Sequence, residues 1–360
     1  MTVTRTARLT GAALCAALAL VTLVWLLRDL ATFGPTPELL WFWAGDHGFR
    51  LHPAAATTLV DPLLLAAYTV TAGVALRSSL AGPAMAVTGL GTLALRLPGL
   101  WASGVEALVS TMIVLVLGAA LVVTAAAGRE PVGREPAGRE AVGREPFARR
   151  PFAHEPVGGT PDGPNAPYGP NAPYGDGTPD HVRTPDHVRT PDRPRTGPAV
   201  AAGILCLLAG LMWAGWEVRW ATLLPVEYTV GRYTGGASLL LPALAVPPGW
   251  LNAVLVLLLL AAAGSAFARA GHSRPLGLFA GLLLAGVGAA GTAAALRRNW
   301  HTYVPERDLY SVAYDIGCGF ALLAGLLVLA LLARPGRRRT PYRPVAALPP
   351  APPAQRPPGW

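Results

Sequence analysis

Apolar residues run along this chain in long blocks that show neither strand alternation nor a polar helical stripe. Eight blocks stand out, at roughly 9–27, 57–76, 82–101, 105–127, 198–217, 249–268, 275–296 and 313–333. A helix needs about 20 predominantly apolar residues to cross a bilayer. Within hydrocarbon every backbone amide must also be satisfied inside the structure. The pattern therefore predicts an all-α, polytopic integral membrane bundle of eight helices. The third block is the weakest, because Arg96 and Pro98 interrupt it. A further stretch, ASLLLPALAVP at 237–247, is too short to span and reads as interfacial or re-entrant.

The blocks repeat. LCAALALVTLVWLLR at 14–28 and LCLLAGLMWAGWEVR at 205–219 share Leu-Cys, a Trp ten residues after the Cys and an Arg three later, at an offset of 191. Arg77, Pro83, Gly89 and Leu90 return as Arg269, Pro275, Gly281 and Leu282, at an offset of 192. Trp and Arg near helix ends, and Pro at a helix start, are common choices of any membrane helix. The matched register of loop plus second span is harder to reach by convergence. The expectation is two four-helix units, 1–127 and 198–333. Four spans return the chain to the same side, so the copies would be parallel repeats.

Between them, 128–197 has another character. GREPV-GREPA-GREAV-GREPF, two copies of GPNAPY and two of TPDHVR carry ten Arg against ten Asp or Glu. So few apolar residues among so much Pro and Gly cannot offset the entropy of ordering, and this linker is expected to be disordered. The tail 334–360, rich in Arg and Pro, reads the same way. Arg337 to Arg339 suit an anionic leaflet, and either the linker or the Pro-rich tail could engage a protein partner.

Composition agrees with the blocks. The chain is 52% hydrophobic and 14% charged, against about 25% charged in soluble domains. All 29 basic residues are Arg, a bias of GC-rich codon usage such as an actinobacterium's. A net charge of +9 could suggest nucleic acid. The Arg residues flank apolar blocks or are balanced by acids, so no nucleic-acid stripe forms and no such partner is expected. With both termini in the cytoplasm, 21 Arg fall on the inner side and eight on the outer, which fixes the expected orientation in a plasma membrane. Every Trp but Trp360 then maps to the outer face. The first apolar block is long for a signal peptide and no A-x-A site follows, so it reads as a retained span. Cys15, Cys206 and Cys318 lie inside apolar blocks and read as small hydrophobes rather than a disulfide framework.

Catalytic signatures are scarce. No Walker A loop, H-E-x-x-H or G-x-S-x-G occurs, and no cofactor is expected. His154, His181 and His187 in the linker lack metal-site spacing, as do Asp46, His47, Arg50 and His52 in AGDHGFRLH and His301, Glu306 and Asp308 in NWHTYVPERD. Ionisable groups at membrane depth carry more information, because burial is costly without a partner. Asp61, Arg96, Glu106, Glu217, Arg298 and Asp315 are the candidate lining of an outward vestibule. The turn at Arg77 makes the second and third spans antiparallel neighbours, so Asp61 and Arg96, 16 and 19 residues from it, should lie within about one helical turn in depth. An Asp61–Arg96 pair with Glu106 close by is the expectation, and Arg298 is the expected partner of Asp315. Gly277 and Gly281 form a G-x-x-x-G face, which serves either a homodimer or internal packing.

Three functional readings follow, in descending order. The first is a non-catalytic accessory or binding protein of the cell envelope. The second is a small-molecule transporter with an outward vestibule between the halves. The third is a membrane-embedded enzyme on lipid or cell-wall intermediates, using Asp61, Glu106 or His52.

Overall fold

The computed structural model describes residues 3–34, 37–44, 55–78, 80–102, 105–128, 196–235, 242–297 and 308–334. Residues 129–195 of the linker, 335–360 of the tail, 45–52 of the AGDHGFRLH loop, Arg298, His301 and Glu306 lie outside the described residues. Regular structure in the described residues is helical. In chain order the helices are α1 (Arg5–Phe33), α2 (Pro37–Trp43), α3 (Val60–Arg77), α4 (Ala81–Arg96), α5 (Gly99–Ala102), α6 (Val105–Ala127), α7 (Thr196–Leu223), α8 (Val226–Thr234), α9 (Pro248–Phe267), α10 (Ser273–Arg297) and α11 (Leu309–Ala333).

Seven of them, α1, α3, α6, α7, α9, α10 and α11, are long and apolar enough to cross a membrane, which makes this a multi-pass membrane protein. Much of each is exposed and apolar, as at Leu20, Val24, Val116, Leu257 and Leu323. In water that surface would be a liability; in a bilayer it is the solvated face. The stretch expected to span 82–101 is shorter than its block. Its helix stops at Arg96 after 16 residues, about 24 Å at 1.5 Å per residue. Leu97 keeps helical angles and bonds Leu93 O at 3.0 Å; Pro98 has no N–H to offer Ala94, so the helix ladder ends there and α5 follows.

Local signals explain the other ends. Thr4 caps α1, its hydroxyl accepting from Ala7 N–H at 3.2 Å. Gly34 closes it, at φ 72°. Pro248 opens α9, where its missing N–H costs nothing. Gly235 ends α8 in the left-handed conformation. Near the linker-bearing end of the bundle, Arg8 donates to Ala75 O and Leu76 O at the end of α3. Arg274 does the same to Leu332 O and Ala333 O at the end of α11, so each cation meets the negative pole of a helix.

The packing diagram is written twice. In residues 3–128, α1 packs on α3 and α6, and α4 packs on α3 and α6. In 196–334, α7 packs on α9 and α11, and α10 packs on α9 and α11. These halves meet chiefly through α10, which touches both α3 and α4. Gly91 lets the Phe279 ring lie against α4, and Gly286 lets Leu63 lie against α10. Gly277 and Gly281 face Leu332 and Val328 of α11. That face is occupied by internal packing.

Candidate functional site: a buried ion pair where the halves meet

Asp61 sits in the first turn of α3 and Arg96 in the last turn of α4. The turn at 78–80 folds these helices back on each other, which brings both residues to the Trp-rich end of the bundle. Their side chains form an ion pair, and both are buried. The other Asp61 oxygen accepts from Thr58 N–H at 2.6 Å. Arg96 spends a second nitrogen, Nη1, on the carbonyl of Leu244 at 3.0 Å. Leu244 N–H in turn donates to Ala56 O at 2.9 Å. A charge pair of the first half is thereby tied to main chain of the second. Burying two charges is costly unless their remaining hydrogen-bonding capacity is met, and here main chain meets most of it.

The segment that carries Ala56 and Thr57 is held from its other side by Asp29, near the end of α1. This carboxylate is fully buried. It accepts from Ala56 N–H, from Thr57 N–H at 2.7 Å and from the Thr57 hydroxyl at 2.6 Å. Hydrogen bonds to the ionised form stabilise a buried carboxylate even where no cation pairs with it. Indole donors add to the joint. Trp250 Nε1 donates to Ala94 O at 2.7 Å and Trp101 Nε1 to Thr234 O at 3.1 Å. The two rings meet edge to face at 6.0 Å.

Below the ion pair, α3 and α4 continue as a ladder of polar contacts. Thr92 donates to the Tyr68 hydroxyl at 3.0 Å, and Thr71 and Thr88 share a hydrogen bond at 2.7 Å. Beside Arg96, a crevice between α1 and α6 is lined by Thr22, Trp25, Ser110, Thr111 and Val114. It has room for about one water molecule.

Of the described candidate residues, Asp61 and Arg96 pair with each other and Glu217 lies in a separate cluster. Glu106 is exposed in the first turn of α6 and has no hydrogen-bond or ion-pair partner among the described residues. It does not join Asp61 and Arg96, because the helix face that carries it turns outward. Glu217, at the end of α7, has its own cluster. It accepts from Arg232 at 2.9 Å, Tyr233 at 2.9 Å and Asn252 at 2.6 Å, which ties α8 and α9 to α7. Burial and the hydrogen bond to Glu217 raise the pKa of the Tyr233 phenol above its ordinary value. Asp315 is half-buried on α11, and its expected partner Arg298 lies outside the described residues.

Sequence reasoning missed three participants. Asp29 follows Arg28 at a helix end and reads as a headgroup-facing pair. The Leu244 carbonyl is a backbone atom in the stretch expected to be interfacial or re-entrant, of which 242–247 is an irregular segment with Leu244 to Val246 buried. Helix α8 is too polar to register as an apolar block. Chemically, the arrangement can neutralise, orient and fasten. Its two strongest charges already engage each other. No family model, curated protein or solved structure matches the chain.

Proposed function

We propose that this is a non-catalytic accessory protein of the cell envelope, built from two parallel four-helix units and fastened at its outer end by the Asp61–Arg96 pair. The carrying observation is the route of Arg96: one nitrogen on Asp61 and one on Leu244 of the other half. Charges committed to holding two halves together serve architecture better than turnover. The crevice beside them, with room for about one water, favours this reading over an outward vestibule for small-molecule transport. Eight spans, with α4 and α5 together making the third, are supported by the duplicated packing diagram and the matched Arg-Pro-Gly-Leu register. Cytoplasmic termini, a cytoplasmic linker and a plasma-membrane location rest on the Arg distribution. The linker or the tail is the surface we assign to a protein partner.

Two experiments test this. Reporter fusions after Arg150 and after Arg339 should both report the cytoplasm; an outside signal at either overturns the topology. In a host where deleting the gene has a phenotype, the charge-free Asp61→Leu/Arg96→Leu chain should restore it at normal membrane abundance. Failure to restore it, with the protein present and folded, would mean that the charges do more than fasten.

A further inference from the structure

The crevice beside Arg96 lies in the first half, and the register shows what stands at the matching positions of the second. At the offset of 191, Trp213 of α7 stands where Thr22 stands in α1. Its side chain is 2% exposed, fills the interior and lies edge-on to Tyr314 at 6.1 Å. At the offset of 192, Gly288 stands where Arg96 stands, and a Cβ there would overlap the backbone of Leu322 in α11. On the partner helix, Ser110 receives the Trp25 indole N–H at 3.0 Å. Gly317 holds the matching place, with Trp216 Nε1 about 3.5 Å from where its Cβ would be. The second half is plugged by an indole and closed by glycine. The first keeps a small space, with Thr22, Ser110 and Thr111 among otherwise apolar walls.

Arg96 also lines that space. Nη1 and Nη2 are engaged, whereas Nε is buried without a partner among the described residues, on a side chain only 6% exposed. An orphaned buried N–H costs free energy that an acceptor in the crevice would recover. Asp61 already neutralises the guanidinium, and Val114 and the Trp25 ring make the walls largely apolar. A neutral acceptor oxygen on an apolar body suits such a place better than a free anion does. The crevice lies between α1 and α6, whose neighbouring Val24, Val109 and Ile113 are exposed apolar residues of the lipid-facing surface. Just past it, the Arg28 guanidinium stacks 4.9 Å from the centre of the Trp25 ring.

We propose that this crevice is a binding site for a glycerophospholipid of the surrounding bilayer. The lipid's ester carbonyl accepts from Arg96 Nε–H, its acyl chain follows the apolar groove between α1 and α6, and its phosphate lies towards Arg28. The proposal goes beyond the accessory reading and stands without it.

The full chain, purified in detergent and stripped of lipid, is titrated with dioleoyl phosphatidylglycerol and with its diether analogue, which has the same headgroup and no ester carbonyl. Native mass spectrometry counts the lipid retained per chain. One ester lipid should be retained, and the diether should bind about tenfold more weakly, the loss of one hydrogen bond to a charged group. Arg28→Gln should weaken both lipids alike. Thr22→Trp, which copies the plug of the second half, should abolish retention; Val114→Phe fills the same space if that variant does not fold. Equal retention of ester and diether lipid overturns the carbonyl contact, leaving at most an ordered water on Arg96. Unchanged retention in a folded plug variant overturns the site itself.

Discussion

The two halves solve the same packing problem at one place with opposite means. In the second half, α10 and α11 approach so closely that Gly288 touches the backbone of Leu322 and Gly325 touches that of Ala285. In the first, α4 and α6 also meet glycine to glycine, at Gly89 and Gly118, yet two turns further along Arg96 replaces Gly288. One half spends the position on backbone contact, the other on a charge that reaches across to Asp61 and Leu244. Two halves with like packing can thus spend one position on framework in one and on polar groups in the other. The acids at the ends of α1 and α7 show the same divergence. Asp29 grips main chain in full burial, whereas Glu217 grips Arg232, Tyr233 and Asn252 side chains nearer the surface.

Asp29 offers the largest effect. Asp29→Ala would leave two buried N–H groups and a hydroxyl unpaired, at about 1–3 kcal/mol for each group left unsatisfied. A total loss of about 3–5 kcal/mol should appear as a clear drop in thermal midpoint in detergent; a midpoint within a degree or two of wild type would show that water enters this segment freely. Gly288→Ala comes next. Overpacking of a close helix contact costs about 1–3 kcal/mol, and the matched Gly73→Ala, where a Cβ meets nothing within 4 Å, should cost almost nothing. Equal effects at the two glycines would remove the close approach from the account.

Glu217→Gln should be milder than Asp29→Ala, at about 1 kcal/mol, since the amide oxygen can still accept from Arg232 and Asn252 and the amide NH2 can donate to the Tyr233 hydroxyl. The smallest effect is a pH dependence. The Tyr233 phenol has its pKa raised in the folded chain, so its contribution is complete below the ordinary tyrosine value of about 10 and is lost as pH rises through the folded value above that. Phenolate absorbance compared between wild type and Tyr233→Phe should place the ionisation of this tyrosine above the ordinary value; ionisation at or below that value would contradict the hydrogen bond to Glu217.

How much of this was legible before any coordinates follows from what sequence encodes. Seven of the eight apolar blocks became helices long enough to span, because bilayer thickness sets a length scale that residues either meet or miss; the short helices α2, α5 and α8 carry no such signal. The meeting of Asp61 and Arg96 could be counted outward from the turn at Arg77, since rise per residue is constant and a three-residue turn forces antiparallel neighbours. The contact of Arg96 with Leu244 could not. It depends on how two separately folded-back halves dock, and its acceptor is a carbonyl that every residue possesses. Glu106 failed for a related reason. Depth along a helix can be counted, but the side of the bundle that a residue faces depends on packing. Asp29 was hidden by its neighbour, as an Arg-Asp pair at a helix end has an ordinary solvated explanation.

The claim at the centre is that Asp61 and Arg96 act as one fastening between the halves, and a double-mutant cycle tests it most directly. Asp61→Leu and Arg96→Leu would each leave an uncompensated buried charge, at about 3–5 kcal/mol apiece. The double variant removes both charges, so its loss should fall well short of the sum, with a coupling of at least about 2 kcal/mol in unfolding from detergent. Additive losses would mean that the two residues act independently, and the fastening would not exist.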